Sequence, residues 1–274
     1  MLPAYTRAQV TTSRGTLMEQ MEQPPVPRKR PRGIYLLPNL FTTAALFAGF
    51  YAVLAATQGH FEASSIAIFA AMLLDGFDGR VARMTHTQTA FGAEYDSLSD
   101  MVAFGVAPAL VAYHWALGGL GKIGWLAAFV YCAAAALRLA RFNTQVGTAD
   151  KRFFQGLPSP SAAALVAGGV WIGADQGIDP SYVSWIAAAL TAGAGLLMVS
   201  NFRYYSFKQL DLHGRVPFML AVGVMLTVAL IQIQPPIVLF LGFLGYAVSG
   251  PLWTLISLRD RRASRRRGRA DGGV

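Results

Sequence analysis

An all-α polytopic membrane protein of about eight transmembrane helices is the fold class this sequence predicts, and three observations predict it. Apolar residues make up 54% of the 274 positions and charged residues only 14%, with positive mean hydropathy, which is not the composition of a water-soluble domain. Apolar runs of about 20 residues, the length that crosses a hydrocarbon core, recur along nearly the whole chain. The 23 Lys and Arg residues are also distributed unevenly between the loops.

The runs place spans at 34–57, 62–85, 94–117, 123–145, 160–178, 181–199, 216–233 and 236–257. Helices satisfy their own backbone hydrogen bonds, so this set needs no strand, and the short connections make neighbours antiparallel. Gln234, Pro235 and Pro236 separate the last two spans. One long helix is the alternative there, but the combined length and the proline pair favour two. With both termini cytoplasmic, every basic residue except Lys122 falls on the cytoplasmic side or in a cytoplasmic helix end, as the positive-inside rule requires. Basic character therefore reports topology, and a nucleic-acid partner is excluded because no soluble domain remains to read a groove.

Residues 1–33 form a disordered basic N-terminal tail ending in PPVPRKRPRG, residues 34–257 the membrane-embedded domain, and residues 258–274 an Arg-rich cytoplasmic tail. Both tails are expected to set topology and to attract anionic lipid headgroups. The N-terminus lacks the order of a cleaved signal peptide, so the first span is expected to be retained. Cys132 is the only cysteine, which excludes an intrachain disulfide or a thiolate cluster. The four histidines have no metal-ligand spacing and receive no chemistry.

The chemistry concentrates in DGFDGRVARMTHTQTAFGAEYDSLSD at 75–100. Helical periodicity puts Asp75 and Asp78 on one face, and Asp96 and Asp100 on one face of the next helix. The short loop between them brings both pairs to similar depth at the cytoplasmic interface. Ionised carboxylates at such depth cost at least a few kcal/mol each and repel one another, so positive charge must offset them. Oxygen donors converging from two helices are what Mg²⁺ or Mn²⁺ requires, and two such ions would suit displacement at phosphorus. Gly79 and Ala82 leave room for a ligand against the helix, and Arg83 one turn on can grip phosphate. Taken singly, these features also have an ion-relay, packing or topology-anchor reading.

Asp75, Asp78, Gly79, Ala82, Arg83, Gly92, Asp96 and Asp100 match D-x2-D-G-x2-A-R-x8-G-x3-D-x3-D without a departure, and in this the chain resembles the CDP-alcohol phosphatidyltransferase family. The resemblance implies a six-helix catalytic core, here with two further C-terminal helices, usually dimeric, in which a hydroxyl displaces CMP from a CDP-linked lipid. It implies that Asp75, Asp78, Asp96 and Asp100 ligate two metals and that Asp100 also accepts the proton. It further implies CDP-lipid contacts at Gly79, Ala82, Arg83 and Thr89, and at Asn39 and Thr42 near the first helix.

PNLFT at 38–42, RLARFN at 138–143, FQGLPSP at 154–160 and MVSNFRYYSFK at 198–208 resemble the branch whose acceptor is L-serine and whose lipid donor is CDP-diacylglycerol. Arg138, Arg141, Asn143, Ser159 and Lys208 are accordingly the candidates for binding acceptor or phosphate. Ser159 before Pro160 reads as an N-cap whose helix directs free N–H groups toward the pocket. Two alternatives stay open: glycerol 3-phosphate or an inositol phosphate as acceptor, and a divalent-cation transporter using the same carboxylates.

Overall fold

A computed structural model describes residues 36–85, 89–144, 153–205 and 218–271; of these, the side chains of 36–38, 82, 83, 85, 153, 154, 205, 218–221, 224 and 256–271 are outside the description. The N-terminal tail and Lys208 lie outside the described residues, and so do the side chains of Ala82 and Arg83. Eight helical rods follow in order. They are α1 (Leu36–Thr57), α2 (Phe61–Thr85), α3 (Ala90–Asp100) running through a π-helical segment (Met101–Val106) into α4 (Ala107–Trp115), α5 (Lys122–Thr144), α6 (Ser159–Asp175), α7 (Pro180–Val199), α8 (Phe218–Ile233) and α9 (Pro235–Asp271).

Among the described residues, four helices, over Asn39–Thr57, Lys122–Thr144, Pro180–Val199 and Pro235–Leu255, are long and apolar enough to cross a membrane. The other rods fall short of that description for local reasons. α2 carries the aspartates and arginines of the motif at its C-terminal end, and α6 and α8 have only 17 and 16 residues.

Packing is inside out relative to a soluble protein. Phe47, Phe50, Trp125, Phe129, Trp185 and Trp253 face outward, while the interior is largely alanine, including Ala45, Ala52, Ala103, Ala107, Ala135, Ala163 and Ala167. Small residues let backbones approach where lipid removes the usual hydrophobic drive. At Gly49 on α1, an added Cβ would lie 2.7 Å from the Ala103 Cα, so only glycine permits that helix crossing.

Four features depart from expectation. First, the span expected at 94–117 is α3, the π-helical segment and α4. Pro108 has no N–H for the Phe104 carbonyl four residues earlier, and the buried Tyr131 hydroxyl of α5 donates to that carbonyl at 2.9 Å. Second, two strands form where none was needed: β1 (Phe153–Gln155) pairs antiparallel with β2 (Arg203–Tyr205), Phe154 opposite Tyr204. They lie between helices, where loop backbone still needs partners. Third, α9 continues past 257 to Asp271, through a run rich in arginine, a good helix former. Fourth, Ser159 is the first helical residue of α6, and Pro158 holds the cap position with no side-chain bond.

The two rods after α7 do separate at Gln234, as the proline pair requires. Within α9, Pro251 leaves the Ala247 carbonyl without its helical donor, and the Tyr204 hydroxyl donates to it at 2.9 Å. Gly250 opens the notch, since an added Cβ there would strike the Tyr204 ring. Two prolines inside helices are thus each answered by a tyrosine from another element.

Candidate active site

The polar residues gather at one end of the bundle. That end combines the start of α1, the end of α2, the start of α3, the end of α5, the start of α6 and both strands. α3 begins there because Thr89, with extended backbone, accepts from the Gly92 N–H at 3.0 Å. Gly92 is tightly placed, for an added Cβ would lie 3.1 Å from the Thr89 Oγ1 and 3.6 Å from the Asn39 Oδ1. Thr89 is therefore engaged as a helix cap, and Asn39 stands next to the motif glycine.

Asp75 and Asp78 on α2 and Asp96 on α3 each bring a carboxylate oxygen within 4.8 Å of the others. Asp100, one turn beyond Asp96, lies close enough to Asp75 and Asp96 for their charges to act on it. All four motif aspartates are thus brought together. The π-helical segment starts immediately after Asp100 and shifts the helical phase. Asp96 and Asp100 face the site while Ala103, Phe104 and Ala107 enter the core.

Neighbouring hydroxyls orient these carboxylates. Thr42 donates from Oγ1 to Asp78 Oδ2 at 2.8 Å, and Ser99 donates to the Thr42 carbonyl at 3.0 Å. Thr42, Asp78 and Ser99 are all buried, so this chain fixes Asp78 from behind. Thr43 shares a 2.9 Å hydrogen bond with the Tyr95 hydroxyl, and Tyr95 stacks on Phe91. Ser99, Thr43 and Tyr95 carry no signal in the sequence beyond lying one or two positions from motif residues.

Buried Asp96 Oδ1 has no hydrogen-bond partner among the described residues. A buried carboxylate oxygen without a partner is costly, and beside two other carboxylates it is costlier. Oxygen-only donors in this arrangement fit a hard divalent cation. Asp75, Asp78 and Asp96 are the residues that would hold it, with Asp100 alongside.

The opposite wall is cationic. Arg138 on α5 donates from Nη1 to the Ser159 hydroxyl at 2.7 Å, and its buried Nε has no partner among the described residues. Its charge acts on Asp100. Arg141, one turn on, donates to Asn201 Oδ1 at 2.9 Å and to Gln155 Oε1. Asn143 exchanges hydrogen bonds with Ser97 on α3, its Nδ2 donating to the Ser97 Oγ at 3.0 Å. Gln155, Asn201 and Ser97 were not marked by sequence reasoning, since their roles depend on contacts across long separations. Gly79 is half-buried on α2 and Arg80 is exposed.

The model of the family described as CDP-alcohol phosphatidyltransferase matches residues 35–199. The chain belongs to the CDP-alcohol phosphatidyltransferase family. Among curated proteins, it is similar to the CDP-diacylglycerol–serine O-phosphatidyltransferase of Helicobacter pylori, with 35% identity over 228 residues, 82% of this chain and 94% of that one. It is also similar to the proteins of the same description from Mycobacterium tuberculosis, 36% identical over 185 residues covering 63% of each chain, and Methanocaldococcus jannaschii, 41% identical over 137 residues, 50% of this chain and 61% of that one. In this family member, the four aspartates, Arg138, Arg141 and Ser159 lie within the matched segment, whereas Asn201, β2, α8 and α9 follow it.

Proposed function

We propose that the protein is a phosphatidylserine synthase, transferring the phosphatidyl group of CDP-diacylglycerol to the hydroxyl of L-serine and releasing CMP. The observation that carries the chemistry is the convergence of Asp75, Asp78 and Asp96, where a buried Asp96 oxygen has no partner among the described residues. The relatives named above support serine as the acceptor.

Two Mg²⁺ or Mn²⁺ ions bound by the four aspartates would neutralise the diphosphate and the departing CMP. The chain's own groups do the rest. Asp100 takes the proton of the serine hydroxyl as its oxygen bonds to the β-phosphorus, and the bond from that phosphorus to CMP breaks. Thr42 keeps Asp78 in its rotamer. Asn39, Gly79, Ala82, Arg83 and Thr89 form the nucleotide side of the pocket. Arg138 and Ser159 receive the serine carboxylate, because the buried Arg138 Nε has no partner among the described residues and the Arg138 charge acts on Asp100. The Arg138 guanidinium, anchored on Ser159, suits a monovalent carboxylate better than the dianionic phosphate of glycerol 3-phosphate or an inositol phosphate.

Eight spans with both termini cytoplasmic complete the reading, and they put the active site on the cytoplasmic face of the cytoplasmic membrane. The basic residues at that end of the bundle support this orientation. The basic tails bind anionic lipid, Lys208 adds a phosphate contact, and the protein acts as a homodimer. The test is to incubate purified protein with CDP-diacylglycerol and Mg²⁺ or Mn²⁺ and measure CMP release with serine, glycerol 3-phosphate and inositol phosphate separately. Release with serine is expected; no CMP with any acceptor would refute the enzyme class.

A further inference from the structure

Arg141 is engaged by two side chains from other elements. Its guanidinium joins Gln155, the last residue of β1, to Asn201, two residues before β2. These two side chains belong to segments far apart in sequence, and α5 supplies the group that ties them. The backbone continues the same tie. Gly156 N–H donates to the Phe202 carbonyl and Leu157 N–H to the Leu197 carbonyl, both at 2.9 Å.

Gly156 has φ of 79°, and a Cβ there would strike the Met198 carbonyl, so this turn closes tightly on the end of α7 and demands glycine. Two residues later the chain enters α6 through Pro158, and Ser159 meets Arg138. The far side of the ladder is pinned as well, by Tyr204 in the notch of α9. Arg141 of α5 and Leu197 of α7 thus hold the turn that delivers Ser159, and Tyr204 ties the paired strand to α9.

We infer that Arg141 is a positioning residue rather than an acceptor ligand: with Gln155 and Asn201 it clamps the β1–β2 ladder and so sets where Ser159 and Arg138 stand at the acceptor side of the site. The inference rests on the reading of Arg138 and Ser159 as the carboxylate subsite. It predicts that the acceptor step is affected while recognition of CDP-diacylglycerol is not.

The double variant Gln155→Ala/Asn201→Ala keeps Arg141 but removes what it holds. Steady-state CMP release should show a KM for serine raised about as much as in Arg141→Ala, roughly tenfold or more in both, with the KM for CDP-diacylglycerol within about twofold of the wild type. Adding Arg141→Ala to the double variant should cause little further loss, because the three side chains act as one unit. Gln155→Glu/Asn201→Asp retains both acceptor oxygens and should keep near wild-type kinetics.

A double variant that behaves like wild type while Arg141→Ala loses activity would overturn the inference and make Arg141 a direct ligand. Hydrogen exchange reads the clamp without turnover. The Gly156 and Leu157 amides should exchange faster in Arg141→Ala than in wild type, and unchanged exchange would overturn the clamp whichever acceptor the enzyme uses. Wild-type protein that releases no CMP with serine would instead count against the functional reading, leaving the exchange result to decide the clamp.

Discussion

The two walls of the site are built in opposite ways. On the α2–α3 wall, carboxylates of one sign are forced together, and buried Asp96 keeps an oxygen with no partner among the described residues. On the α5–α6 wall, the side chains are mostly matched: Arg141 with Gln155 and Asn201, Asn143 with Ser97, and Arg138 with Ser159 through one of its nitrogens. The first wall holds an electrostatic deficit that a cation could fill. The second uses its polar groups for geometry and leaves the buried Arg138 Nε without a partner among the described residues. In the proposed function, chemistry belongs to the first wall and selection among acceptors to the second.

Breaking the first wall should have the largest effect. Asp100→Asn keeps the shape but cannot take a proton, so CMP release should fall by about a thousandfold or more, while binding of a CDP-lipid with metal, followed by calorimetry, is partly retained. Full turnover in that variant would remove Asp100 as the proton acceptor. Asp96→Asn should instead lose metal dependence and turnover together, measured by titrating Mn²⁺ against CMP release.

Smaller changes sharpen the contrast. Arg138→Ala should raise the KM for serine by about ten- to a hundredfold, as the loss of a charge-assisted contact of roughly 1.5–3 kcal/mol implies, with CDP-diacylglycerol affinity little changed. Thr42→Val removes the donor to Asp78 without touching the ligand itself. Loss of such a supporting bond typically costs about 10- to 100-fold in metal affinity, visible as a shifted metal activation curve. Thr89→Ala should be mildest: an N-cap contributes about 1 kcal/mol, so a small drop in melting temperature is expected, and a larger loss of nucleotide affinity would mean the hydroxyl also touches substrate.

The α2–α3 wall was legible because its information is local. Four aspartates at helical spacing, separated by a short loop, can only converge, and the structure brings all four together. The other wall was legible as composition but not as partnership. RLARFN marks Arg138, Arg141 and Asn143 as polar groups at a helix end, yet Gln155 and Asn201 become the partners of Arg141 only when β1 and β2 pair. Ser159 reads as an N-cap from its neighbour Pro160, but in the fold its hydroxyl is taken by Arg138 and the helix starts one residue earlier.

By itself the sequence determined the membrane-type composition, the order and approximate positions of the helices, and the convergence of carboxylates in 75–100. These follow from periodicity and solvation, which act over a few residues. Only the tertiary structure decided how the helices satisfy what proline breaks and what the loops leave open. Tyr131 answers Pro108, Tyr204 answers Pro251, and Arg141 closes the ladder. A freed carbonyl or a loop amide must find a donor or acceptor somewhere, but which distant side chain supplies it depends on how the helices pack.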